Sequence, residues 1–328
     1  MIPVVAFFNT RAGAGTTTLV YNLAWRLADS GTRVLAADLD PQASLTSAFL
    51  DEDGLEEIWP VGQAVSRTIW GRREPLGLGA GSIVNVPSRT VASSLDLIPG
   101  DPALSSYEGE LSEQWRSCLS GQEHAFRITS SFWRILQQAG LNSEAEIILV
   151  DLGPGLGAVN RTALLAADLI VFPLSPDLFS IQGLRSFGPA ILRWRKEWKD
   201  RREKNPTPSL DLPGGDMTPA GYVLLEQAVR LDLPAAAHQW PARIPFEYAQ
   251  SVLGRQSVLA GKNDPHRIAL MKHYRSLIPM AQEARKPVFH LKPADGALGA
   301  HLTAANAANA EFGVLASELL SRLRNRIR

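Results

Sequence analysis

The sequence lacks the residues that a disulfide-bonded, thiolate-ligated or membrane-spanning protein needs. Its only cysteine among 328 residues is Cys118, which excludes an intrachain disulfide and a metal site made of several cysteines. No apolar run approaches the ~18 residues of a membrane-spanning helix. The first residues also lack the basic segment and cleavage site of a signal peptide. We therefore expect a soluble, cytoplasmic protein.

The sequence also has no net charge, because 33 Lys and Arg residues are balanced by 33 Asp and Glu residues. This balance excludes a generally basic nucleic-acid-binding protein and an acidic tail, but it does not exclude a local basic face. A hydrophobic content of 45% and a charged content of 20% are typical of a globular protein. The length is compatible with one large domain or two smaller ones.

Short apolar runs that alternate with helical patterns predict an α/β fold. The first unit is a strand at 4–8, a glycine-rich turn at 12–15, a helix at 17–30 and a strand at 33–38. A strand, a helix and a second strand in this order indicate a parallel sheet with helices on both faces. Further elements are predicted as strands at 95–99, 147–150, 169–173 and 221–225 and a helix at 131–139.

The predicted strands are spread along most of the chain, which favours one domain over two. We therefore predict a single large domain, 1–328, built on a mostly parallel sheet. Two stretches interrupt the alternation and are predicted to be inserted loops, at about 51–93 and about 200–219. The first contains a segment dense in Gly, Pro and Arg at 71–87, and the second is rich in Pro and Gly.

Residues 9–18, Asn-Thr-Arg-Ala-Gly-Ala-Gly-Thr-Thr-Thr, follow the first strand and open the first helix. Backbone N–H groups and a helix dipole in that position face a bound anion. A dinucleotide-binding loop needs Gly-x-Gly-x-x-Gly directly after the strand, whereas here the glycines come late and Thr18 replaces the third. A nucleoside-triphosphate loop ends in Gly-Lys-Thr/Ser, and here Thr17 supplies the hydroxyl while Thr16 replaces the lysine.

The chain resembles the ParA/MinD family of deviant Walker A ATPases. The family loop reads Lys-Gly-Gly-x-Gly-Lys-Thr-Thr and is followed by Asn-Leu-Ala, which matches Arg-Ala-Gly-Ala-Gly-Thr-Thr-Thr at 11–18 and Asn-Leu-Ala at 22–24. The resemblance implies a P-loop NTPase fold that binds ATP or ADP with Mg²⁺. Further motifs follow in family order: Asp-Leu-Asp-Pro-Gln at 38–42, Leu-Asp-Leu-Ile-Pro-Gly at 95–100, Ile-Ile-Leu-Val-Asp-Leu-Gly-Pro at 147–154, Ala-Ala-Asp at 166–168 and Lys-Pro-Val at 286–288.

The resemblance also assigns roles to individual residues. It implies that Thr17 binds Mg²⁺, with Asp38 or Asp151 holding the water shell of the metal, and that Asp40 orients the attacking water. Arg11 stands in place of the family's signature lysine. The other interpretation is that the three aspartates only cap strand ends and helix starts. The nucleotide phosphates would be bound by Arg11, Ala12, Gly13, Ala14, Gly15, Thr16, Thr17 and Thr18.

Both lysines of the family loop are replaced, with different consequences. Arg11 keeps the positive charge in a different geometry, whereas Thr16 keeps neither the charge nor the reach of a lysine. We expect weakened ATP binding and weak or absent hydrolysis, because charge grows on the phosphoryl oxygens in the transition state. Thr16 is either a natural degeneration of the loop or an engineered trap, and the sequence does not separate the two.

The resemblance favours a ParA-like nucleotide-dependent switch in partitioning or positioning. ATP with Mg²⁺ would join two copies through their nucleotide faces, and the homodimer would bind non-specific DNA, a ParB-like or other adaptor protein, or both. Such a protein would be cytoplasmic and associated with the nucleoid. The alternative is a non-hydrolysing pseudo-ATPase that is a scaffold for a partner protein. The nitrogenase-iron-protein branch of the superfamily is excluded, because its cluster needs two cysteines per subunit.

Two basic stretches are candidate contact surfaces. In the first, Trp194 and Trp198 are spaced to share one helical face, so the stretch is either a DNA-backbone contact or a solvated helix whose tryptophans pack on the core. In the second, an apolar stripe at 312–327 precedes a basic end. That stripe favours a closing helix on the sheet over a membrane anchor. The candidate DNA contacts are Arg193, Arg195, Lys196, Lys199, Arg201 and Arg202.

Overall fold

The computed structural model of the chain describes residues 1–13, 15–59, 68–69, 88–225, 240–255, 264–272, 274 and 276–327. These residues contain one eight-stranded sheet with the order β3-β4-β2-β5-β1-β6-β7-β8. Every neighbouring pair is parallel except β3 and β4, which are antiparallel. The strands are β1 (Val4–Phe7), β2 (Val34–Asp38), β3 (Arg89–Ala92), β4 (Leu95–Ile98), β5 (Ile147–Asp151), β6 (Leu169–Leu174), β7 (Thr218–Leu225) and β8 (Arg267–Met271).

The central strands are apolar on both faces because helices cover both sides of the sheet. In β1, Val4 and Ala6 belong to one core, whereas Val5 and Phe7 belong to the other, so successive side chains point to opposite faces. All four side chains are completely buried. This explains why the central strands read as continuous apolar runs, as is typical of parallel sheets.

The described helices divide between the two faces. The first core contains side chains from α4 to α9, and the second contains side chains from α1, α2, α3, α10 and α11. The helices are α1 (Thr16–Asp29), α2 (Ser44–Phe49), α3 (Glu52–Ile58), α4 (Glu108–Ser117), α5 (Glu123–Thr129), α6 (Ser131–Asn142), α7 (Ala158–Leu165), α8 (Leu178–Arg202), α9 (Trp240–Glu247), α10 (Leu277–Ala284) and α11 (Ala300–Ile327).

The predicted α/β fold is confirmed: the described residues form a single domain with a mostly parallel sheet and helices on both faces. The sequence did not predict β3 and β8, which lie at the two edges of the sheet. The residues of β3 are half-buried or exposed, and two of the four are polar, so this strand lacks the apolar run that identifies a central strand. The short apolar run of β8, Ile-Ala-Leu-Met at 268–271, was not recognised as a strand.

The two predicted inserted loops are described to different extents. Residues 60–67 and 70–87 of the first lie outside the described residues, while its described parts form α3 and β3. In the second, the chain beyond α8 packs back on the domain, because the Trp198 indole N–H donates to the Pro213 carbonyl at 3.0 Å. Within the described ranges, no helix is both long and apolar enough to cross a membrane.

Gly188 on α8 lies directly against the backbone of residues 248–252. A methyl group on Gly188 would overlap the main-chain carbonyl of Ser251. We expect Gly188→Ala to lower the free energy of unfolding by about 1–3 kcal/mol, which is the usual cost of overpacking. Urea unfolding followed by circular dichroism measures this change.

Gly109→Ala on α4 is the matched control, because the space around Gly109 is open. This variant should be neutral or stabilising by up to about 1 kcal/mol, since alanine favours a helix over glycine. Equal free energies of unfolding for the two variants would contradict the close backbone contact at Gly188.

Candidate functional site

The phosphate loop connects β1 to α1 at the carboxyl edge of the sheet. Gly13 and Gly15 have φ angles of +72° and +84°, which is left-handed backbone that favours glycine. Ala14 between them lies outside the described residues. Asn9 fixes the entry to the loop, since its Nδ2 donates to the Pro173 carbonyl at 2.6 Å and its Oδ1 accepts from the Arg11 N–H at 3.1 Å.

The amino-terminal end of α1 is open to an anion. The N-cap is Gly15, and no side chain of the described residues caps this end. The first turn contains no acidic residue either. Its N–H groups and the positive end of the helix dipole are therefore available to phosphate oxygens. Thr16, Thr17 and Thr18 are half-buried in this turn.

Thr17 and Asp151 form the part of the site that fits a divalent cation. The Thr17 hydroxyl donates to Asp151 Oδ2 at 2.7 Å. The second carboxylate oxygen, Oδ1, is buried and has no hydrogen-bond partner among the described residues. A buried carboxylate oxygen without a partner is costly, and it suits a cation or its bound water. The described residues contain no group of three or more acidic, histidine or cysteine side chains that could bind a metal alone, so Mg²⁺ here would also need phosphate oxygens.

Asp38 is the register partner of Asp151 on the neighbouring strand but is engaged differently. Its Oδ2 accepts from the N–H and hydroxyl of Thr46 at 2.8 and 2.7 Å, and its Oδ1 accepts from the Asp40 N–H at 3.1 Å. Both oxygens of Asp38 are therefore used to hold the turn after β2. Of the two carboxylates predicted for the metal, Asp151 has the unpaired oxygen.

Asp40, the predicted water-orienting residue, lies where two loops meet. Its Oδ1 accepts from the Gln42 N–H at 2.9 Å, and 8% of the residue is exposed. A methyl group added to Gly153 would overlap the Asp40 carboxylate, so the absence of a side chain there permits the approach of the loop after β5. The structure thus brings Asp38, Asp40 and Asp151 together at one edge of the sheet, next to the phosphate loop.

Burial changes the protonation of these carboxyl groups. Burial raises the pKa of Asp38 to about 6. Burial, and then the adjacent charge of Asp38, raises the pKa of Asp151 well above its usual value. Burial also raises the pKa of Asp40. A cation bound here would offset the repulsion between the carboxylates and favour their ionised forms.

Arg11 is the cation of the phosphate loop, and it contacts the start of α8. Its Nη1 forms an ion pair with Asp177 Oδ2, and its guanidinium carbon lies 5.1 Å from the centroid of the Phe179 ring. At Thr16, where the family loop has its second lysine, the side chain is half-buried and uncharged. The phosphate site is therefore rich in backbone donors and poor in charged ones.

A cleft of about 690 Å³ begins at the phosphate loop and extends to α10. This volume suits a nucleotide-sized ligand. Asn22 links the two walls, because its Oδ1 accepts from the Val288 N–H at 2.8 Å while its Nδ2 donates to the Thr18 carbonyl at 2.8 Å. The far wall is formed by Ile278, Ala281, Gln282, Arg285, Lys286 and Val288.

Arg285 and Gln282 were not predicted as site residues. Arg285 has a left-handed backbone with a φ of +49° at the end of α10. Its guanidinium donates to the carbonyl of Leu50, just after α2, and so ties the far wall to the segment that follows the Asp40 turn. The one signal in the sequence is the adjoining Lys-Pro-Val stretch at 286–288, which matches a family motif.

The basic stretch on α8 combines packing and exposure. Trp194 and Trp198 are 3% and 0% exposed. Both tryptophans therefore pack on the core, as the second interpretation of this stretch predicted. Arg195 is half-buried. The exposed side chains of the predicted DNA contacts are Arg193, Lys196, Lys199 and Arg202.

Arg201 requires a correction. It is 6% exposed, its Nε donates to the Trp115 carbonyl at 2.8 Å, and its guanidinium carbon lies 4.2 Å from the Trp115 ring centroid. Arg161 lies 4.4 Å from the same ring. Arg201 is a structural residue whose donors are used inside the domain, so it does not present its charge to DNA.

The carboxyl-terminal helix α11 closes the second core. Phe312, Leu315, Leu319 and Leu323 are at most 5% exposed and pack in that core. The predicted closing helix is therefore confirmed, because these four side chains of its apolar stripe are buried in the domain. Its basic end is partly paired, since Arg326 donates to Asp168 and Asp216.

Comparison with known proteins decides the family. A family model described as an AAA domain matches residues 2–203, which is more than half of the chain. The chain belongs to the ParA/MinD family of P-loop ATPases. The chromosome partitioning protein ParA of Caulobacter vibrioides is 30% identical over 203 residues. These residues are 61% of this chain and 66% of the Caulobacter protein, so the chain spans slightly less than two thirds of that relative.

Solved structures agree with this family at the level of the fold. A Corynebacterium diphtheriae protein has a TM-score of 0.74 at 24% identity, with 98% of this chain and 99% of that chain covered. The septum site-determining protein MinD of Pyrococcus horikoshii, complexed with Mg-ADP, has a TM-score of 0.54 at 16% identity and coverages of 97% and 96%. The ParA of pNOB8, bound to nonspecific DNA, has a TM-score of 0.57 at 18% identity and coverages of 99% for both chains.

Asp151→Asn tests the buried carboxyl group of this ParA/MinD-family site. A carboxyl group whose folded pKa is raised above its ordinary 3.8 binds more protons folded than unfolded. The stability that this carboxyl group contributes is fully present at a pH below its pKa in the unfolded protein. That stability is lost as the pH rises through its pKa in the folded protein. We expect the nucleotide-free protein to lose stability as the pH rises above the ordinary value of 3.8, and Asp151→Asn to lose less.

Urea unfolding at several pH values above 3.8 measures the difference. Asparagine keeps the size of the side chain and an oxygen that accepts from the Thr17 hydroxyl, so the variant changes charge rather than packing. An identical pH dependence for the two proteins would contradict the raised pKa of Asp151.

Proposed function

We propose that this chain is a ParA-type nucleotide-dependent switch that binds ATP with Mg²⁺, dimerises through its nucleotide face and then engages DNA or an adaptor protein. Its hydrolysis of ATP is weak or absent because Thr16 stands where the family loop has a lysine. The observation that carries the proposal is the open end of α1 at a nucleotide-sized cleft. Beside it lies a buried oxygen of Asp151 that has no hydrogen-bond partner in the described part of the chain.

Nucleotide binding is supported by donors that do not depend on a lysine. The first-turn N–H groups of α1 and the left-handed glycines Gly13 and Gly15 offer main-chain donors to phosphate oxygens. The far wall of the cleft, joined to α1 through Asn22, lies where the rest of a nucleotide would extend. ATP and ADP are the nucleotides that membership of this ATPase family supports.

A magnesium ion would be held by the Thr17 hydroxyl, with Asp151 accepting hydrogen bonds from its water shell. The ion would supply charge neutralisation on the phosphate oxygens. Asp38 would keep the turn of Asp40 in place through its three hydrogen bonds. Asp40 would then orient the attacking water from its position between the two loops.

Thr16 weakens hydrolysis more than it weakens binding. Ground-state binding keeps the main-chain donors and the helix dipole, so it is weakened but retained. Transition-state stabilisation needs charge near the transferring phosphoryl group, and a threonine hydroxyl supplies none. In this proposal bound ATP leaves mainly by dissociation rather than by hydrolysis, and loss of the nucleotide ends the dimeric state.

DNA binding is supported by the exposed basic side chains Arg193, Lys196, Lys199 and Arg202 on α8. Each neutralised phosphate adds to affinity in a salt-dependent and sequence-independent way. A homodimer would present two copies of this basic face, while each chain still has no net charge. A ParB-like or other adaptor protein is the second partner that the family resemblance supports.

The second candidate function is a scaffold that binds a partner protein without nucleotide. Two observations favour it: Thr16 lacks the charge of the family lysine, and Arg11 is engaged with Asp177 instead of being free in the cleft. In that case the cleft would be a remnant of an ancestral ATPase site.

Thr16→Lys separates the two functions. A lysine adds one charge-assisted hydrogen bond, worth about 1.5–3 kcal/mol. We therefore expect ATP with Mg²⁺ to bind roughly 10- to 150-fold more tightly than in the unchanged protein, and phosphate release to rise. Calorimetry and a phosphate-release assay measure the two effects.

Thr16→Ala is the control, because it removes the hydroxyl without adding charge. Its affinity for ATP should stay within a few-fold of the unchanged protein, as neutral hydrogen bonds contribute about 1 kcal/mol. If neither the unchanged protein nor Thr16→Lys binds ATP, the scaffold is correct and the switch is wrong.

Lys196→Ala combined with Lys199→Ala tests the DNA face. Retention on non-specific DNA should require ATP, and the slope of log affinity against log salt should fall by about 2 when two phosphate contacts are lost. Arg324→Ala, an exposed basic residue on α11, is the matched control and should leave the slope unchanged. If the slope fell equally in the control, or did not fall in the double variant, the proposal that α8 contacts DNA would be wrong.

A further inference from the structure

Arg285 keeps a long side chain at a backbone position where glycine is the usual residue. It follows the last turn of α10 with a φ of +49°. The Lys286 N–H donates to the Ala281 carbonyl at 3.0 Å, which is the hydrogen bond of a Schellman cap. An L side chain strains this left-handed backbone, whereas glycine does not. The arginine is therefore present despite a backbone cost, so its contacts are of interest.

One nitrogen of the Arg285 guanidinium is anchored at the end of α2. Nη1 donates to the carbonyls of Leu50 and Ser47, the second at 3.4 Å. The guanidinium forms no ion pair and no other hydrogen bond with the described residues. Arginine has five N–H donors in a rigid fork, so the donors on Nε and Nη2 remain for a ligand. Arg285 is exposed and lines the cleft.

The far end of the cleft has an uncompensated positive charge. Asp40 is the only acidic side chain among the described lining residues, and it lies at the phosphate-loop end. Lys286 Nζ forms an ion pair with Asp295 Oδ1 at 2.6 Å, so the charge of the neighbouring cation is offset. The charge of Arg285 is not offset in this way. An anchored guanidinium with free donors is suited to a phosphate or carboxylate group.

Tyr21 relates this cation to the phosphate end of the cleft. Burial raises the pKa of Tyr21 to about 12, and the charge of Arg285 is close enough to act against that rise. Tyr21 lies one helical turn after Thr17, which is about 6 Å along α1. A ribose that carries phosphate groups on both its 5′ and 3′ oxygens separates them by a comparable distance. One nucleotide can therefore present phosphates to both ends.

We propose that Arg285 is the binding residue of a second subsite, which takes a phosphate group at the far end of the cleft while the α1 end holds the phosphates of a nucleotide. This inference rests on the proposed nucleotide binding and adds a class of ligand, nucleotides with a further phosphate on the ribose. A free phosphate ion has the same chemistry and is the other source of this group.

Arg285→Asn tests the proposal, because asparagine tolerates the left-handed backbone and has no guanidinium. Urea unfolding checks that the variant is folded. The probes are ADP and adenosine 3′-phosphate 5′-diphosphate, each titrated with Mg²⁺ by calorimetry. We expect the unchanged protein to bind the 3′-phosphorylated nucleotide roughly tenfold more tightly than ADP, as a charge-assisted hydrogen bond implies. Arg285→Asn should bind the two nucleotides with affinities within about twofold of each other.

A second titration identifies the source of the phosphate group. Inorganic phosphate is added to each protein after saturation with ADP and Mg²⁺, and binding is followed by ³¹P nuclear magnetic resonance. Binding to the unchanged protein but not to Arg285→Asn supports a subsite that takes the free ion. A tenfold preference for the 3′-phosphorylated nucleotide without such binding supports a subsite that takes the ribose phosphate.

Lys292→Gln is the matched control, since it removes an equal charge from an exposed position outside the cleft lining and should keep the tenfold preference. Equal affinities of the unchanged protein for the two nucleotides, together with no binding of inorganic phosphate, overturn the proposal. So does a preference that survives in Arg285→Asn or is lost equally in Lys292→Gln. Failure of the proposed function gives a different result: ADP then binds to neither protein, while inorganic phosphate added to the nucleotide-free proteins still binds more tightly when Arg285 is present.

Discussion

Two buried carboxyl groups on adjacent parallel strands constrain the rest of the site. Asp38 and Asp151 are register partners at the carboxyl ends of β2 and β5. Because burial and mutual repulsion raise the pKa of Asp151, this end of the sheet is stable only with bound protons, hydrogen-bond donors or a cation. Asp38 is satisfied by Thr46 and the Asp40 N–H, whereas Asp151 keeps one oxygen that no described residue contacts through a hydrogen bond. The Thr17 hydroxyl donates to the other oxygen of Asp151, Oδ2, and so brings the start of α1 to this carboxylate.

The site has many main-chain donors and few cations. The open end of α1 and the glycines of the loop supply dipoles, while Thr16 supplies no charge and Arg11 is paired with Asp177. Dipoles of this kind bind the phosphates of an unreacted nucleotide well. The charge that grows on the phosphoryl oxygens in the transition state also needs cations. The proposed switch therefore has a physical reason to hold nucleotide and hydrolyse it slowly.

The region matched by the family model covers only part of the cleft. The family model ends at residue 203, next to the end of α8, whereas the far wall of the cleft comes from residues 278–288. Asn22 and Arg285 join this later segment to the phosphate-loop side through Val288 and Leu50. The part of the chain beyond the family match thus completes the cleft. It also closes the second core through α11.

The sequence by itself determined the α/β fold, the position of the phosphate loop, the missing lysine and the set of strand-end aspartates. These follow from local signals: short continuous apolar runs, glycines at tight turns and residues that end parallel strands. The tertiary structure alone decided that Arg201 is buried against Trp115, that Arg285 reaches the cleft and that Arg11 is paired with Asp177. It also decided that, within the described part of the chain, Asp151 rather than Asp38 has an oxygen without a hydrogen-bond partner. Each of these depends on contacts between residues far apart in the chain. A sequence shows how many charges a segment carries, whereas burial and pairing decide what each of them can bind.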